Sequence, residues 1–195
     1  MNVDLFLSQL EESRQREQAA AHAGFVMPPG LQLPAALEIA IEHRWLIAPV
    51  RGCSSYALSN ARVGWPTSCR DQINFWYATH LDVNWMVQTG AKSGLMALEI
   101  DTRYVHLVLV HLAGSDNSWR RSLQYASCGK WMVLFSHVPG MRTVGERYLG
   151  LRLHAGDAIY LPPFVNMDGI RIEYAEQYAP VLAPPEWLVS AFQPK

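Results

Sequence analysis

The stretch Gly94-Leu95-Met96-Ala97-Leu98-Glu99-Ile100-Asp101 decides how the rest of the chain is read. It is apolar enough for a buried strand, yet it ends in two carboxylates two residues apart. Strand side chains alternate faces, so Met96, Leu98 and Ile100 point one way and Ala97, Glu99 and Asp101 the other. The Cα atoms of the two acids then lie about 6.5 Å apart. Carboxylates that close repel unless a cation sits between them or one is protonated. Mg²⁺ takes one or two such groups together with phosphates, and carboxylate-held metal ions serve nucleotidyl transfer. A strand end whose acids are solvated or paired with arginines has the same spacing, so the segment alone leaves both readings open.

Around this stretch the 195 residues are 50% hydrophobic and 17% charged, enough for one compact domain with a sizeable core. That composition excludes a disordered or low-complexity chain. No apolar run reaches the roughly 18 residues of a membrane span, and the N-terminus lacks the basic leader and apolar core of a signal peptide. Cys53, Cys69 and Cys128 are odd in number and unpaired in spacing, which disfavours disulfides and a structural zinc and points to the cytoplasm. Between Arg51 and Arg152 there are eleven Lys/Arg against six acids. This basic middle suits a phosphate-bearing ligand or is ordinary solvated charge.

A polar helix is expected over 4–22, followed by the break "VMPPGLQLP" and a second helix, "AALEIAIEHRW", after Pro34. "LIAPV" (46–50) reads as a strand, 51–69 as a long loop and 70–80 as a helix. Two strands, 84–90 and 94–101, are joined by the turn "GAKSG". Residues 104–113 favour a helix despite their β-branched content. A hairpin follows, with strands 121–127 and 131–137 around Cys128-Gly129-Lys130, then two short strands about "HAGDA". A strand "IRIEY" and a Pro-capped helix close the chain. Helices first and strands mixed with helices later give an α+β domain, with 1–30 as a helical extension and 31–195 as the domain.

Taken in order, "AALEIAIEHRWLIAPV", "TGAKSGLMALEID", "SLQYASCGKWMVLF", "GLRLHAGDAIYLPPF" and "APPEWL" resemble the N-terminal domain of bifunctional DNA primase/polymerases, the prim-pol domain of the archaeo-eukaryotic primase superfamily. The similarity runs from about Ala35 to about Leu188. It implies a two-layer α+β fold with a central mixed or antiparallel sheet, flanking helices and a cleft lined by Glu99, Asp101, Lys130, Arg152 and His154. It implies that Glu99 and Asp101 are catalytic and hold Mg²⁺ or Mn²⁺, for primer synthesis or extension on nucleotides and single-stranded or primed DNA. A helicase or another replication protein is an implied partner. The chain departs from the family pattern at three positions. Trp131 stands at the phosphate-contacting histidine, Arg152 at the third carboxylate and Phe164 at the serine after the proline pair. Arg152 could neutralise the acids by a salt bridge, and His154, assisted by Lys130, could replace the histidine. Asp157 could stand in for the third acid, although its place reads as a turn. The alternative is therefore a catalytically inactive relative that binds nucleic acid, a nucleotide or a protein partner.

Three further features each carry two readings. Lys92 and Ser93 in "GAKSG" could bind phosphate through the side chain and backbone N–H groups, or merely form a tight turn. Arg120 and Arg121 beside Trp119 could contact a nucleic-acid backbone and stack on bases, or form a solvated helix end with a core tryptophan. His106 and His111 are five apart, the wrong spacing for a helical metal pair, and read as structural.

Overall fold

The computed structural model describes residues 12–14, 16, 20, 23–50, 65–80, 83–106, 110, 113–114, 116–127, 129–148, 150–166, 168–176 and 179–193. Helix α1 (Ala35–Glu42) starts at Pro34, whose fixed φ suits a helix start, and buries Ala36, Leu37 and Ala40 on one stripe. It ends in a left-handed residue, Arg44 (φ 56°). The N–H groups of Arg44 and Trp45 return to the carbonyls of Ile41 and Ala40, which satisfies the last turn and drives the Trp45 ring into the core. Strand β1 (Ile47–Val50) follows. Helix α2 (Arg70–Thr79) buries Gln72, Ile73 and Trp76. A two-pronged Arg70–Glu38 pair, at 3.0 and 2.7 Å, ties it to α1.

The remaining elements are β2 (Asn84–Gln88), β3 (Leu95–Asp101), a 3-10 turn (Ser118–Arg121), β4 (Gln124–Ser127), β5 (Lys130–Ser136), β6 (Val144–Tyr148), β7 (Leu151–His154), β8 (Ala158–Leu161), β9 (Phe164–Val165), β10 (Arg171–Ile172) and helix α3 (Glu186–Phe192). The strands form a five-stranded sheet ordered β4-β5-β3-β7-β6, a three-stranded sheet β1-β2-β8 and a β9/β10 ribbon. All named pairings are antiparallel, so the expected α+β architecture stands with its strands divided among sheets. One face of the large sheet, with Met96, Leu98, Ile100, Val133, Leu151 and Leu153, packs on Trp119 and on Leu188 and Phe192 of α3. The other face sends Leu95, Ala97, Tyr125 and Leu134 into a second core shared with α1, α2 and the small sheet.

Several expected elements differ in extent. Residues 121–123 are not strand, because the Ser118–Arg121 turn closes there and Trp119 anchors it in the core. Strands β6 and β9 were not expected, since Val144–Tyr148 is mostly polar and β9 has only two residues. "IRIEY" is reduced to the two residues of β10. Of the helix expected at 4–22, residues 12–14, 16 and 20 are helical and the rest lies outside the described residues, as do 51–64 of the long loop and 107–109 and 111–112 of the segment 104–113.

One glycine fixes the end of β3 against β7. The carbonyl of Gly150 accepts the Asp101 N–H at 2.7 Å. Gly150 has φ +75°, and a Cβ there would stand 2.8 Å from Tyr104 Cδ2 and 3.1 Å from Asp101 Cβ. Gly140 is also left-handed, at φ +85°, but faces open space. Gly150→Ala is therefore expected to destabilise by about 2–4 kcal/mol and Gly140→Ala by about 1 kcal/mol, since only the first adds a clash to the left-handed strain. Urea denaturation of the two variants measures the difference, and equal losses would contradict the contact.

Candidate functional site

The register of the large sheet builds the site. Asp101 pairs with Lys130, and Glu99 pairs with Met132 on one side and Arg152 on the other. Ala97 pairs with His154. Directly opposed residues share a face, so Glu99, Asp101, Lys130, Arg152 and His154 all stand on one surface, with Tyr125 and Ser127 of β4 beside them. Leu95 and Ala97 on this face are wholly buried. Glu99 and Asp101 begin where that core ends, and both remain largely covered.

Each carboxylate is answered from within the chain. Lys130 Nζ donates to Glu99 Oε1 at 2.6 Å, and His154 Nε2 lies 3.2 Å from Glu99 Oε2. Arg103 donates to Asp101 three times: its backbone N–H and Nε reach Oδ1, both at 3.0 Å, and Nη2 reaches Oδ2 at 2.6 Å. The backbone bond is an Asx turn, which sets the guanidinium beside the acid by local geometry. His154 Nδ1 lies 2.8 Å from Asp157 Oδ2. Asp157 is held by the hydroxyls of Thr89 and Thr143, both at 3.1 Å. Thr89 Oγ1 also accepts the N–H groups of Gly156 and Asp157.

The charge states follow. The His154 hydrogen bond, aided by Lys130 and opposed by burial, lowers the Glu99 carboxyl to about 2. Arg103 lowers Asp101 to about 2. Burial disfavours a charged His154, yet the two carboxylates at its two nitrogens outweigh burial and raise its pKa. Only the imidazolium can donate to both acceptors at once. Asp157 is lowered, because His154 and the two threonine hydroxyls overcome the burial that opposes its charge. The surface thus reads Asp157⁻, His154⁺, Glu99⁻, Lys130⁺, with Asp101⁻ and Arg103⁺ beside it.

The other expected positions separate. Arg152 is exposed and stands across from Glu99, but the salt bridge it could make to the acids does not form. Both Glu99 oxygens are already held by Lys130 and His154, and both Asp101 oxygens by Arg103. Trp131 faces away from the acids, opposite Ile100, and packs edge-on against Trp119. The side chain that β5 sends to the acids is Lys130. Phe164 fills the core against Tyr125 and Tyr160. The Ser93 hydroxyl accepts the Leu46 N–H, and the N–H groups of Gly90, Ser93, Gly94 and Leu95 all go to local carbonyls. These backbone groups of the "GAKSG" turn are thus engaged locally, and Lys92 lies at the far end of β3 from Asp101, about 20 Å away by strand rise. Trp119 is buried with Arg120 over its ring at 5.3 Å, so it is closed to base stacking. His106 is exposed, and His111 lies outside the described residues. Arg103 was the omission of the sequence reading. Its signal was the Asp-Thr-Arg that leaves the strand, where a carboxylate commonly accepts an N–H two residues on.

A divalent ion does not fit these acids as they are arranged. All four oxygens of Glu99 and Asp101 are engaged by the chain's own cations, and Arg152 adds positive charge where a third carboxylate is expected. Among the described residues no three His, Cys, Asp or Glu side chains could hold one metal ion.

The charge pattern sets opposite pH responses. A raised His154 pKa means its contribution is complete below its ordinary value of 6.5 and is lost as pH rises through the elevated folded value. Glu99, lowered from 4.5 to about 2, contributes fully above 4.5 and loses that contribution as pH falls toward 2. The stability gap between wild type and His154→Gln is expected to be largest below pH 6.5 and to narrow as pH rises above it. The Glu99→Gln gap is expected to close toward acid pH. Urea titrations from acid pH, below 4.5, to alkaline pH test both; a His154 gap that widens with pH would contradict the imidazolium.

No curated protein matches the chain. Residues 36–187 match the family Bifunctional DNA primase/polymerase, N-terminal. The match spans the sheet that carries Glu99 and Asp101, the Lys130 hairpin, the His154 strand and the start of α3. With most of its length covered in this way, the chain belongs to the family of bifunctional DNA primase/polymerase N-terminal domains.

Proposed function

We propose that this domain serves DNA replication as a primase/polymerase-family module that binds nucleotides or single-stranded or primed DNA without transferring nucleotides. One observation carries the reading: the four oxygens of Glu99 and Asp101 are taken by Lys130, His154 and Arg103. Ligand contact falls to the donors left over. Arg152 is exposed, Lys130 engages one of its three N–H donors with Glu99, and Arg103 keeps guanidinium donors beyond those on Asp101. These cations suit phosphate oxygens, and the contact would be backbone-directed and salt-sensitive. The reading takes 31–195 as the binding domain, 1–30 as a helical extension, the cytoplasm as its compartment, and a helicase or other replication protein as its partner. Among the described residues no helix is long and apolar enough to cross a membrane.

Family membership favours a second reading, nucleotidyl transfer with Mg²⁺ or Mn²⁺ on Glu99 and Asp101. It requires Arg103 and Lys130 to leave the acids.

Primer extension with labelled nucleotides and Mn²⁺, wild type against Asp101→Ala, separates the two. The binding reading expects background from both, and extension by wild type that Asp101→Ala abolishes would overturn it. In fluorescence anisotropy with labelled single-stranded DNA, Arg152→Ala is expected to weaken binding several-fold and to lower the salt slope by about 0.7. An unchanged slope would remove Arg152 from the contact.

A further inference from the structure

We propose that Arg103 and Lys130 are built-in counter-ions that stand where this family's divalent cation would otherwise be needed. Metal binding by this domain is therefore latent and is blocked by these two side chains. The inference rests on the binding reading above and deepens it.

Charge arithmetic supports the substitution. Two largely covered carboxylates on one strand face stay ionised most readily with about two positive charges close by. One divalent ion supplies them, and so do one lysine and one arginine. The pairing is one to one: Lys130 on Glu99 at 2.6 Å and Arg103 on Asp101 at 2.6 Å. His154 also holds Glu99 Oε2, but Asp157 answers its charge on the other side of the ring, so the Asp157–His154 pair adds no net charge. Arg152, facing Glu99 across the strands, makes the surface still less favourable to an added cation.

Each counter-ion is placed by local structure. Lys130 opens β5 directly after the left-handed Gly129 (φ +73°), in register with Asp101. The Asx turn on Asp101 sets the Arg103 backbone beside the acid, so its guanidinium needs only a short reach to Asp101. Both remain partly open to water, Arg103 at 76% and Lys130 at 44% side-chain exposure. They can therefore be truncated without opening a hole in either core.

The test is a thermal melt in EDTA and in saturating Mn²⁺. Wild type should melt at the same temperature in both. Arg103→Ala/Lys130→Ala should melt lower than wild type in EDTA and recover by about 5 °C in Mn²⁺, and adding Asp101→Asn to it should abolish the recovery. If the double variant does not fold, Arg103→Ala alone is judged by the same criteria. A wild-type Mn²⁺ shift that Asp101→Asn removes would overturn the proposal, as would a folded variant that gains no shift. A folded variant that gains no shift sinks the inference and leaves the binding reading standing, whereas primer extension by wild type sinks the binding reading whatever the melts show.

Discussion

Strand β3 has a neighbour on each side and a core against each face, and the site follows from that constraint. Met96, Leu98 and Ile100 are wholly buried on one face, and Leu95 and Ala97 on the other. Strand alternation then forces Glu99 and Asp101 onto the second face, just past the end of its core. A carboxylate that is mostly covered must be paired or hydrogen-bonded, because losing water without compensation is expensive. The chain meets that demand in place. The antiparallel neighbours put Lys130 and His154 within reach of Glu99, and the turn that leaves the strand delivers Arg103 to Asp101.

The pairing links three parts of the fold that are distant in sequence. Thr89, before the "GAKSG" turn, and Thr143, before β6, hold Asp157. Asp157 holds His154, and His154 holds Glu99. Alternating charges of this kind favour one arrangement, since moving any member leaves a partly buried neighbour unpaired. The acids are therefore tied into a self-balanced surface. The Gly150 turn, whose carbonyl takes the Asp101 N–H, fixes where that surface ends.

Much of this was legible in the sequence because it rests on short-range rules. Period-two alternation gave the facing of Glu99 and Asp101, and the same rule put Arg152 and His154 together. Helical spacing after Pro34 and the Gly129 turn located α1 and the β4/β5 hairpin. What was not legible depended on long-range register. Motif order puts Trp131 at the histidine position, but only the pairing of β5 with β3 shows that Trp131 faces the opposite core and that Lys130 faces the acids. Arg152 was one candidate neutraliser, yet Lys130 and His154 hold Glu99 instead. Strand β6 escaped notice because its sequence lacks an apolar alternation. Arg103 was readable in principle from the Asx-turn pattern, and its role emerges only once Asp101 is seen to be covered.

Membership in the primase/polymerase family makes the self-neutralised acids informative. A fold associated with nucleotides and DNA here carries an internally balanced surface in place of an open carboxylate pair, and the binding proposed above assigns ligand contact to Arg152, Lys130 and Arg103. The most direct measurement is paramagnetic broadening of backbone amide NMR signals in the wild-type protein on titration with Mn²⁺. This account predicts no selective loss of signal at residues 99–103 and 130 at Mn²⁺ levels that leave the rest of the spectrum intact. Selective loss of those signals, reversed by Mg²⁺, would contradict it.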